Sequence, residues 1–437
     1  MRHKNPNIQK SCIRHLPLGA LAGAVLLILS STSSGQTLKD FLQLGQRCEI
    51  ALEEGRYEEA ERLALKILQW AEGPLAAEPL ALAAACQMMG TVRQFQMRLS
   101  EAETMLEKAL SIFEKSLPPN DPLLGASCNT LGVLYHVQGR LAEAEAMFQK
   151  ALGIWQKSLP ADHPELVTIY NNLGLLYTTQ ARFGEAEAML QKAVAICKKS
   201  LHANQLELAL VYNALAGLYY YQGRTAEAEA MIQKVVAMWQ KSVPPDHPLW
   251  ATAYTGLALV YQRQGRLAEA EALLQKVLAI DQKSLSPDHP SLAGTYSILG
   301  ELYRQQGRYA EAEEAFQEAI ARAEKHGGIS EAAITAYRGR AELAWESERP
   351  EEALAHLRKA LQEVEWIRPK VSTEELYRAA FFGMFNEWYE LMVSWETQRA
   401  QAPGVLWAME MSRARTLLEQ LATAGVDLLA GLPPQEA

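Results

Sequence analysis

The amino-acid sequence predicts an all-α fold, a superhelical solenoid of stacked helix pairs that continues into extra C-terminal helices. Three observations support this prediction. One motif recurs every 42 residues, each period holds two amphipathic helical patterns, and no segment shows the alternating pattern of a strand. The 437 residues are 49% hydrophobic and 21% charged, which is typical of a folded chain rather than a disordered one.

An arginine marks each period. A glutamate follows three residues later and an alanine comes directly after it. Successive arginines are 42 residues apart, except for a last interval of 41, and such self-similarity indicates a solenoid. We expect each arginine to pair with the glutamate three residues on, at a corner between helices. The arginines are Arg56, Arg98, Arg140, Arg182, Arg224, Arg266, Arg308 and Arg349.

Each unit predicts two helices, as in 164–180 followed by a second helix from Phe183. A glycine between them predicts a left-handed helix end, and an Asp-His-Pro junction between units predicts a helix start. Small residues recur at one place in each helix, which predicts a close helix crossing. They are Gly132, Gly174, Ala216, Ala258 and Gly300 in the first helices, and Ala144, Ala186, Ala228 and Ala270 in the second.

The stretch 171–194, "NNLGLLYTTQARFGEAEAMLQKAV", resembles a tetratricopeptide (TPR) repeat. The period and the Asp-His-Pro junctions resemble the kinesin-light-chain type. This resemblance implies a right-handed superhelix of about eight repeats over residues 36–366, with the first helices lining a concave groove. In the first unit Arg47 and Cys48 replace the expected leucine and glycine, which suits a terminal cap. The matching residues are Leu173, Gly174, Tyr177, Ala186, Leu190 and Ala193.

Residues 1–35 predict a secretory signal peptide. A basic start precedes an apolar run from Leu16 to Ser30, and small residues follow at Ser33 and Gly35. We therefore expect a secreted or periplasmic protein that does not insert into a membrane after cleavage. The alternative is an uncleaved segment that anchors the chain, although the apolar run is shorter than the ~20 residues of a typical span.

Residues 367–437 fall outside the period and predict two more helices, at about 373–399 and 404–424. This segment resembles the helical linker between TPR repeats and the CHAT protease-like domain of bacterial proteins, through Tyr389-Glu390-Leu391, Glu410 and 413–415. The chain ends at Ala437 without the protease part, so no catalytic residue is carried over. The resemblance leaves an alternative function, a regulatory or adaptor component, or truncated remnant, of a CHAT-type protease system with a separately encoded protease partner.

The residue patterns argue against an enzyme, a metal site and a cofactor. Glu143 and Glu145 diverge by about 200° on a helix, so they cannot share a substrate and are expected to form a solvated acidic stripe. His163, His247 and His289 lie in turns between units, where capping is the expected role. Single corner glycines do not make a phosphate loop. A net charge of -9 argues against nucleic acid. The cysteines without a CxxC spacing, Cys48, Cys86, Cys128 and Cys197, are expected to be core residues.

The sequence thus predicts a non-enzymatic scaffold that binds an extended peptide or protein segment in the concave groove. The groove residues are taken to be those of the first helices least needed for packing, and Arg263 and Arg304 are expected to make its later part basic. An asparagine amide offers both a donor and an acceptor to a peptide backbone. The alternative is that these residues only solvate a polar face. The predicted row is Asn129, Asn171, Asn213, Thr255 and Ser297, with His136, Thr178, Tyr220, Tyr221, Gln262, Arg263 and Arg304 about two turns further on.

Overall fold

The computed structural model describes residues 35–53, 56–199, 205–240, 242–245, 247–284, 290–325, 331–371 and 386–399. The signal segment up to residue 34, His289 and the helix predicted at 404–424 lie outside the described residues. All described regular structure is α-helical, as predicted, and sixteen of the seventeen described helices form eight consecutive pairs.

The helices are α1 (Gly35–Glu53), α2 (Tyr57–Glu72), α3 (Pro79–Phe95), α4 (Leu99–Ser116), α5 (Pro122–Val137), α6 (Leu141–Ser158), α7 (Pro164–Thr179), α8 (Phe183–Lys199), α9 (Gln205–Tyr221), α10 (Thr225–Trp239), α11 (Leu249–Arg263), α12 (Leu267–Ser284), α13 (Pro290–Gln305), α14 (Tyr309–Lys325), α15 (Glu331–Glu346), α16 (Pro350–Val371) and α17 (Asn386–Gln398). Odd-numbered helices up to α15 are the first helices of their pairs, and even-numbered helices are the second.

The described residues fall into two compact units. The N-terminal unit runs to Thr295 without residues 139–142, and the C-terminal unit holds Tyr296 onwards together with those four residues. In the N-terminal unit each first helix from α1 to α11 contacts the next first helix, and the second helices α2, α4, α8 and α10 each contact the first helix that follows. The first helices therefore form a continuous layer, with the second helices beside it.

Small residues allow the close crossing within each pair. A Cβ atom added at Gly174 would lie 2.6 Å from Leu190 Cγ, and one at Gly132 would lie 2.7 Å from the Phe148 ring. Leu190 and Phe148 are themselves fully buried. The predicted close crossing is confirmed at these positions, because no larger side chain fits without displacing the partner helix.

Backbone conformation ends the first helices as the corner glycines predict. Gly223, Gly265 and Gly307 have φ angles of +80°, +78° and +74°, the left-handed region that glycine adopts without a steric cost. Two other units place Met97 and Ala181 at the same corner with φ angles of 60° and 59°. The corner is thus a fixed requirement of the repeat, even where the residue is not glycine.

Side chains cap the starts of several first helices. The amide of Leu123 donates to Asp121 at 2.9 Å, and that of Leu249 donates to His247 Nδ1 at 3.2 Å. His163 caps α7 in the same way, with the Glu165 amide 3.4 Å from its Nδ1. The capping role predicted for His163 and His247 is confirmed.

The four described cysteines are all buried and free of disulfides, as predicted for core residues. Burial raises the pKa of the Cys128 thiol to about 11 and that of Cys48 to about 12, so both remain protonated at neutral pH. None of the described helices is long and apolar enough to cross a membrane.

The C-terminal unit ends in a helix that covers the last pair. Trp388, Tyr389 and Met392 of α17 pack with the buried apolar side chains of α15 and α16. The Trp345 and Trp395 rings stack with centroids 4.5 Å apart and an interplanar angle of 6°. Tyr389, one of the residues that carry the CHAT-linker resemblance, is therefore a core residue here.

We expect Gly174→Ala to lower the free energy of unfolding by about 1–3 kcal/mol, because its new methyl group would overlap the Leu190 side chain. Gly184→Ala is the matched control, since a Cβ at Gly184 has no atom within 4 Å. Urea denaturation of the full chain followed by circular dichroism measures both. Equal stability of the two variants would contradict the close crossing.

The left-handed corner gives a second prediction, in the opposite direction. Ala181→Gly should raise the free energy of unfolding by about 1 kcal/mol, because glycine removes the steric cost of a positive φ. Gly223→Ala should lower it by a similar amount. Ala188→Gly, in the exposed interior of α8, is the control and should be destabilising by about 1 kcal/mol. A destabilised Ala181→Gly variant would refute the assignment.

Candidate peptide-binding surface

The structure places the twelve predicted groove residues on α5, α7, α9, α11 and α13, close to two registers seven residues apart. Seven residues are about two helical turns, so both registers lie on one face of the first helices. Six of the residues are buried and six are half-buried. The buried ones are Asn129, Asn213, Ser297, His136, Thr178 and Tyr220, and the half-buried ones are Asn171, Thr255, Tyr221, Gln262, Arg263 and Arg304.

The expectation that this row is the part least needed for packing is wrong for the six buried residues. Asn129 and Asn213 are only 3% and 2% exposed, because successive first helices lie against each other there. Peptide binding by the row stays a prediction. Only the half-buried residues of the row remain accessible to a peptide.

A ladder of polar contacts joins the first helices at the earlier register. Gln87 Nε2 donates to Thr130 Oγ1 at 3.3 Å, from α3 to α5. One repeat later, Asn172 Nδ2 donates to Asn129 Oδ1 at 2.9 Å, from α7 to α5. In each contact a residue at the predicted position meets the residue one place later in the next unit. Sequence reasoning missed Thr130 and Asn172, although their polar character beside an apolar stripe was visible.

The ladder is interrupted after α7. The residue of α9 that corresponds to Asn172 is Ala214, which has no polar side-chain atom. Asn171 Oδ1 is buried and makes no hydrogen bond within the described residues. Thr255, at the same register of α11, donates its hydroxyl to the Ala251 carbonyl at 2.7 Å. Asn171 thus has an unused acceptor, and so does Ser297, whose Oγ is likewise buried without a hydrogen bond; of the two, only Asn171 is half-buried.

A second ladder joins the first helices two turns further on. His136 Nε2 lies 2.9 Å from Thr179 Oγ1 of the next first helix. Two units on, Arg263 donates to the Tyr220 carbonyl, and its guanidinium lies 4.4 Å from the centre of the Tyr220 ring. Burial raises the pKa of Tyr220, with Arg263 acting in the opposite direction. These side chains connect neighbouring helices rather than project freely.

In the C-terminal unit Arg304 is surrounded by carboxylates. Its guanidinium pairs with Glu301 at 2.8 Å, with Glu342 at 3.0 Å and also with Glu346, and its side chain is 12% exposed. Burial raises the pKa of Glu346, whereas Arg304 opposes that shift. The expectation that Arg304 makes this part of the groove basic is wrong, because its charge is compensated by its neighbours.

The recurring arginine has more partners than the sequence predicted. Arg182 pairs with Glu185 at 2.6 Å, as expected, and also with Glu145 of the preceding unit at 2.9 Å. Its guanidinium lies 4.1 Å from the centre of the Tyr177 ring and donates to Gln180. One arginine therefore joins its own helix corner to the unit before it.

The arrangement repeats along the N-terminal unit. Arg224 and Arg266 contact the second glutamate of the preceding Glu-Ala-Glu at 3.4 Å and 3.0 Å. That second glutamate is not part of a solvated stripe, as the sequence suggested, but is partly buried between units: Glu229 is 19% exposed. In the C-terminal unit Arg308 likewise pairs with Glu311 and lies 4.3 Å from the Tyr303 ring centre. The signal was present as a tyrosine five residues before each of these arginines.

Comparison with known proteins agrees with this geometry. The family model described as Tetratricopeptide repeat matches residues 79–152, 123–199, 207–283, 251–325 and 291–362. The chain belongs to the tetratricopeptide repeat family. The TPR repeats form a helical scaffold of the kind typical of protein-interaction modules. No curated protein matched the chain.

Several solved structures are similar to this TPR protein. The TPR-like repeats of a Podosopora anserina protein described as a kinesin light chain are 28% identical, with 47% of this chain and 97% of that chain covered and a TM-score of 0.38. BtubC from P. vanneervenii is 25% identical over 51% of this chain and 90% of its own, with a TM-score of 0.42. A Rap protein crystallised with competence and sporulation factor is 13% identical, covers 88% of this chain and 99% of its own with a TM-score of 0.58, and supports the fold alone.

The arginine network predicts a pH dependence of stability. Hydrogen bonding to Arg182 lowers the pKa of Glu185 below 4.5, and Arg224 and Arg266 do the same to Glu227 and Glu269. A lowered folded-state pKa stabilises the protein above the unfolded pKa, and that contribution disappears as the pH falls through the folded value. The midpoint temperature of thermal unfolding should therefore decrease as the pH is lowered below about 4.5.

The control is a variant in which Arg182, Arg224 and Arg266 are all replaced by Gln. It should lose less stability than the wild type between pH 6 and pH 3, since the pKa shifts of the three glutamates are then removed. Parallel pH profiles for the two proteins would show that other carboxylates cause the acid sensitivity.

Proposed function

We propose that this TPR protein is a non-enzymatic scaffold that binds an extended segment of a partner protein along the first-helix face of α7, α9 and α11. Membership of the TPR family supports a protein-interaction role. The half-buried side chains Asn171, Tyr221 and Gln262 supply one contact from each of the three helices.

The unused acceptor of Asn171 carries this proposal. A buried polar atom without a hydrogen bond is costly in a folded protein, and a donor from a ligand would relieve that cost. Asn171 is half-buried and its Oδ1 is buried, so the proposal requires a rotation about χ2 that brings the amide to the surface. Its amide could then accept from a peptide N–H and donate to a peptide carbonyl.

The spacing of the helices suits an extended chain. Packed helices lie about 8–10 Å apart, and an extended peptide advances about 3.3 Å per residue. One peptide residue in three would therefore meet a new first helix. Tyr221 adds a half-buried aromatic ring on α9, the middle one of the three helices. An aromatic body with a polar tip suits a peptide side chain with some apolar surface.

A two-residue variant tests the proposal. Asn171→Ala with Gln262→Ala removes amides from both ends of the face, and should weaken partner binding about tenfold, since each hydrogen bond contributes roughly 0.5–1.5 kcal/mol. Partners are first captured from the native extract on the immobilised full chain and identified by mass spectrometry. Overlapping synthetic peptides from the most enriched partner are then titrated by fluorescence anisotropy.

The matched control is Gln191→Ala with Gln275→Ala, which removes two exposed amides from the second helices α8 and α12. It should leave the peptide affinity unchanged. Circular dichroism checks that both variants keep wild-type helicity. Equal affinities for wild type and the Asn171/Gln262 variant would refute the first-helix face as the binding surface.

A further inference from the structure

A second candidate binding surface lies on the second helices of the repeats. In the second helices α6, α8, α10 and α12, the exposed residues after the Glu-Ala-Glu motif are alanine, glutamine and lysine, with a serine at the end of α6. Among the described residues of these segments no aspartate or glutamate is exposed, and Asp281 is buried. We call this surface the lysine face. Its described exposed lysines are Lys150, Lys157, Lys192, Lys198, Lys199, Lys234, Lys276 and Lys283.

The lysines form a regular array. Lys150, Lys192, Lys234 and Lys276 are 42 residues apart, one in each of the four second helices. Lys157, Lys199 and Lys283 lie seven residues after the members of that row, about 10 Å further along their helices. Neighbouring repeats add a similar spacing across the helices. A chain with a net charge of -9 thus carries one surface that is almost purely cationic.

Helix stability does not account for the first row of lysines. The helix dipole favours cations only within about the last turn, and these lysines lie two turns earlier. The residues four positions before them are Ala146, Ala188, Ala230 and Ala272, so no ion pair of the usual helical spacing forms there. The glutamates of the same helices lie in their first two turns, where they pair with the arginine of their own corner or of the next corner.

The ammonium groups of this row are held in place by tyrosines. Lys192, Lys234 and Lys276 each place Nζ 5.4 to 5.6 Å from the centre of a tyrosine ring of their own repeat. Contacts of this length between a cation and an aromatic ring are attractive and orient the side chain. Toward the N-terminal edge Glu114 pairs with Lys150 at 2.7 Å, and Asp162 is exposed after α6, so the row is most strongly cationic at Lys192, Lys234 and Lys276.

We propose that the lysine face docks an acidic segment of a partner protein, with carboxylates as the recognised groups. Opposite charge selects the partner and speeds its approach. The small alanines Ala188, Ala195, Ala230 and Ala237 between the lysines leave room for a partner backbone to come close to the helices. This inference is independent of the proposed function of the first-helix face, because it concerns different helices and residues.

Other anions fit the lysine face less well. These segments carry lysine throughout, and a lysine ammonium pairs with carboxylates and phosphates alike, so the residues around the lysines must distinguish the partners. Single-stranded nucleic acid is bound with exposed aromatic rings, and interfacial membrane helices bury large apolar side chains. The exposed apolar residues of these segments are all alanines. A carboxylate-rich protein segment needs neither feature.

Direct binding of defined probes tests this proposal on the full chain. The probes are a fluorescent 20-residue poly-L-glutamate, a single-stranded DNA 20-mer and vesicles containing phosphatidylglycerol, each at about 50 and 300 mM NaCl. The test variant replaces Lys150, Lys192, Lys234 and Lys276 by Gln. The control variant replaces Arg47, Arg56, Arg62 and Arg349, which are exposed and lie outside the 42-residue row of lysines, by Gln. Both have the same net charge, -9 - 4 = -13.

We expect poly-L-glutamate to bind the wild type more tightly than the other two probes do, and to bind it more weakly at high salt. Its affinity should decrease about tenfold in the test variant and less than about threefold in the control variant. Equal losses in the two variants would overturn the proposal, since net charge alone would then explain binding. Tighter binding of DNA or vesicles, with the same dependence on the four lysines, would also overturn it. So would a loss of self-association in the test variant, measured by sedimentation, without any effect on poly-L-glutamate.

If the fourfold variant does not keep wild-type helicity, the pair Lys192→Gln and Lys234→Gln replaces it, with Arg47→Gln and Arg62→Gln as its control. The expected loss for the pair is about threefold. The peptides that test the first-helix face should bind the lysine variants with unchanged affinity, so failure of one proposal leaves the other standing.

Discussion

The close crossing of two helices at a glycine or an alanine is the constraint on which the rest of this structure depends. Gly132 lies against the Phe148 ring and Gly174 lies against Leu190, so the two helices of a pair approach almost to backbone contact. Such a thin pair cannot enclose a core of its own. In the N-terminal unit consecutive first helices from α1 to α11 therefore pack against each other, and stability is shared between neighbouring repeats.

Because the two helices cross in the same way in these repeats, equivalent residues form rows along the array. A row can join successive repeats, which a single residue cannot do. At the corners, Arg182 and its equivalents bridge two glutamates from successive units. The outer pairs are exposed and contribute little to stability individually. These pairs instead restrict geometry. A planar guanidinium that contacts Tyr177 and two carboxylates can keep all these contacts only over a narrow range of angles between neighbouring repeats.

Much of the architecture could be predicted from the sequence, since periodicity reports directly on helices that share one environment. The helix pairs, the left-handed corner at Gly223, the capping by His163 and the local pair of Arg182 with Glu185 all depend on residues close in sequence. The contacts of Asn129 with Asn172 and of Arg182 with Glu145 cross 43 and 37 residues. They depend on the rotation of one repeat relative to the next, which a periodic sequence does not specify. Hence polar residues assigned to an open groove were found partly between helices.

The last described helix pair, α15 and α16, departs from the regular repeat. The period shortens to 41 residues before Arg349, and the corner there is formed by Glu348 with a φ of 58° in place of glycine. In this last pair Trp345 has the register of His136 and Tyr220, which contact the next first helix in their repeats. Here the Trp395 ring of α17 stacks on Trp345 instead. An exposed tryptophan at the end of a solenoid would invite further stacking of helices or aggregation. Among the described residues, the helix α17 covers Trp345 with an aromatic surface from outside the period, at the place where the next first helix packs in an ordinary repeat.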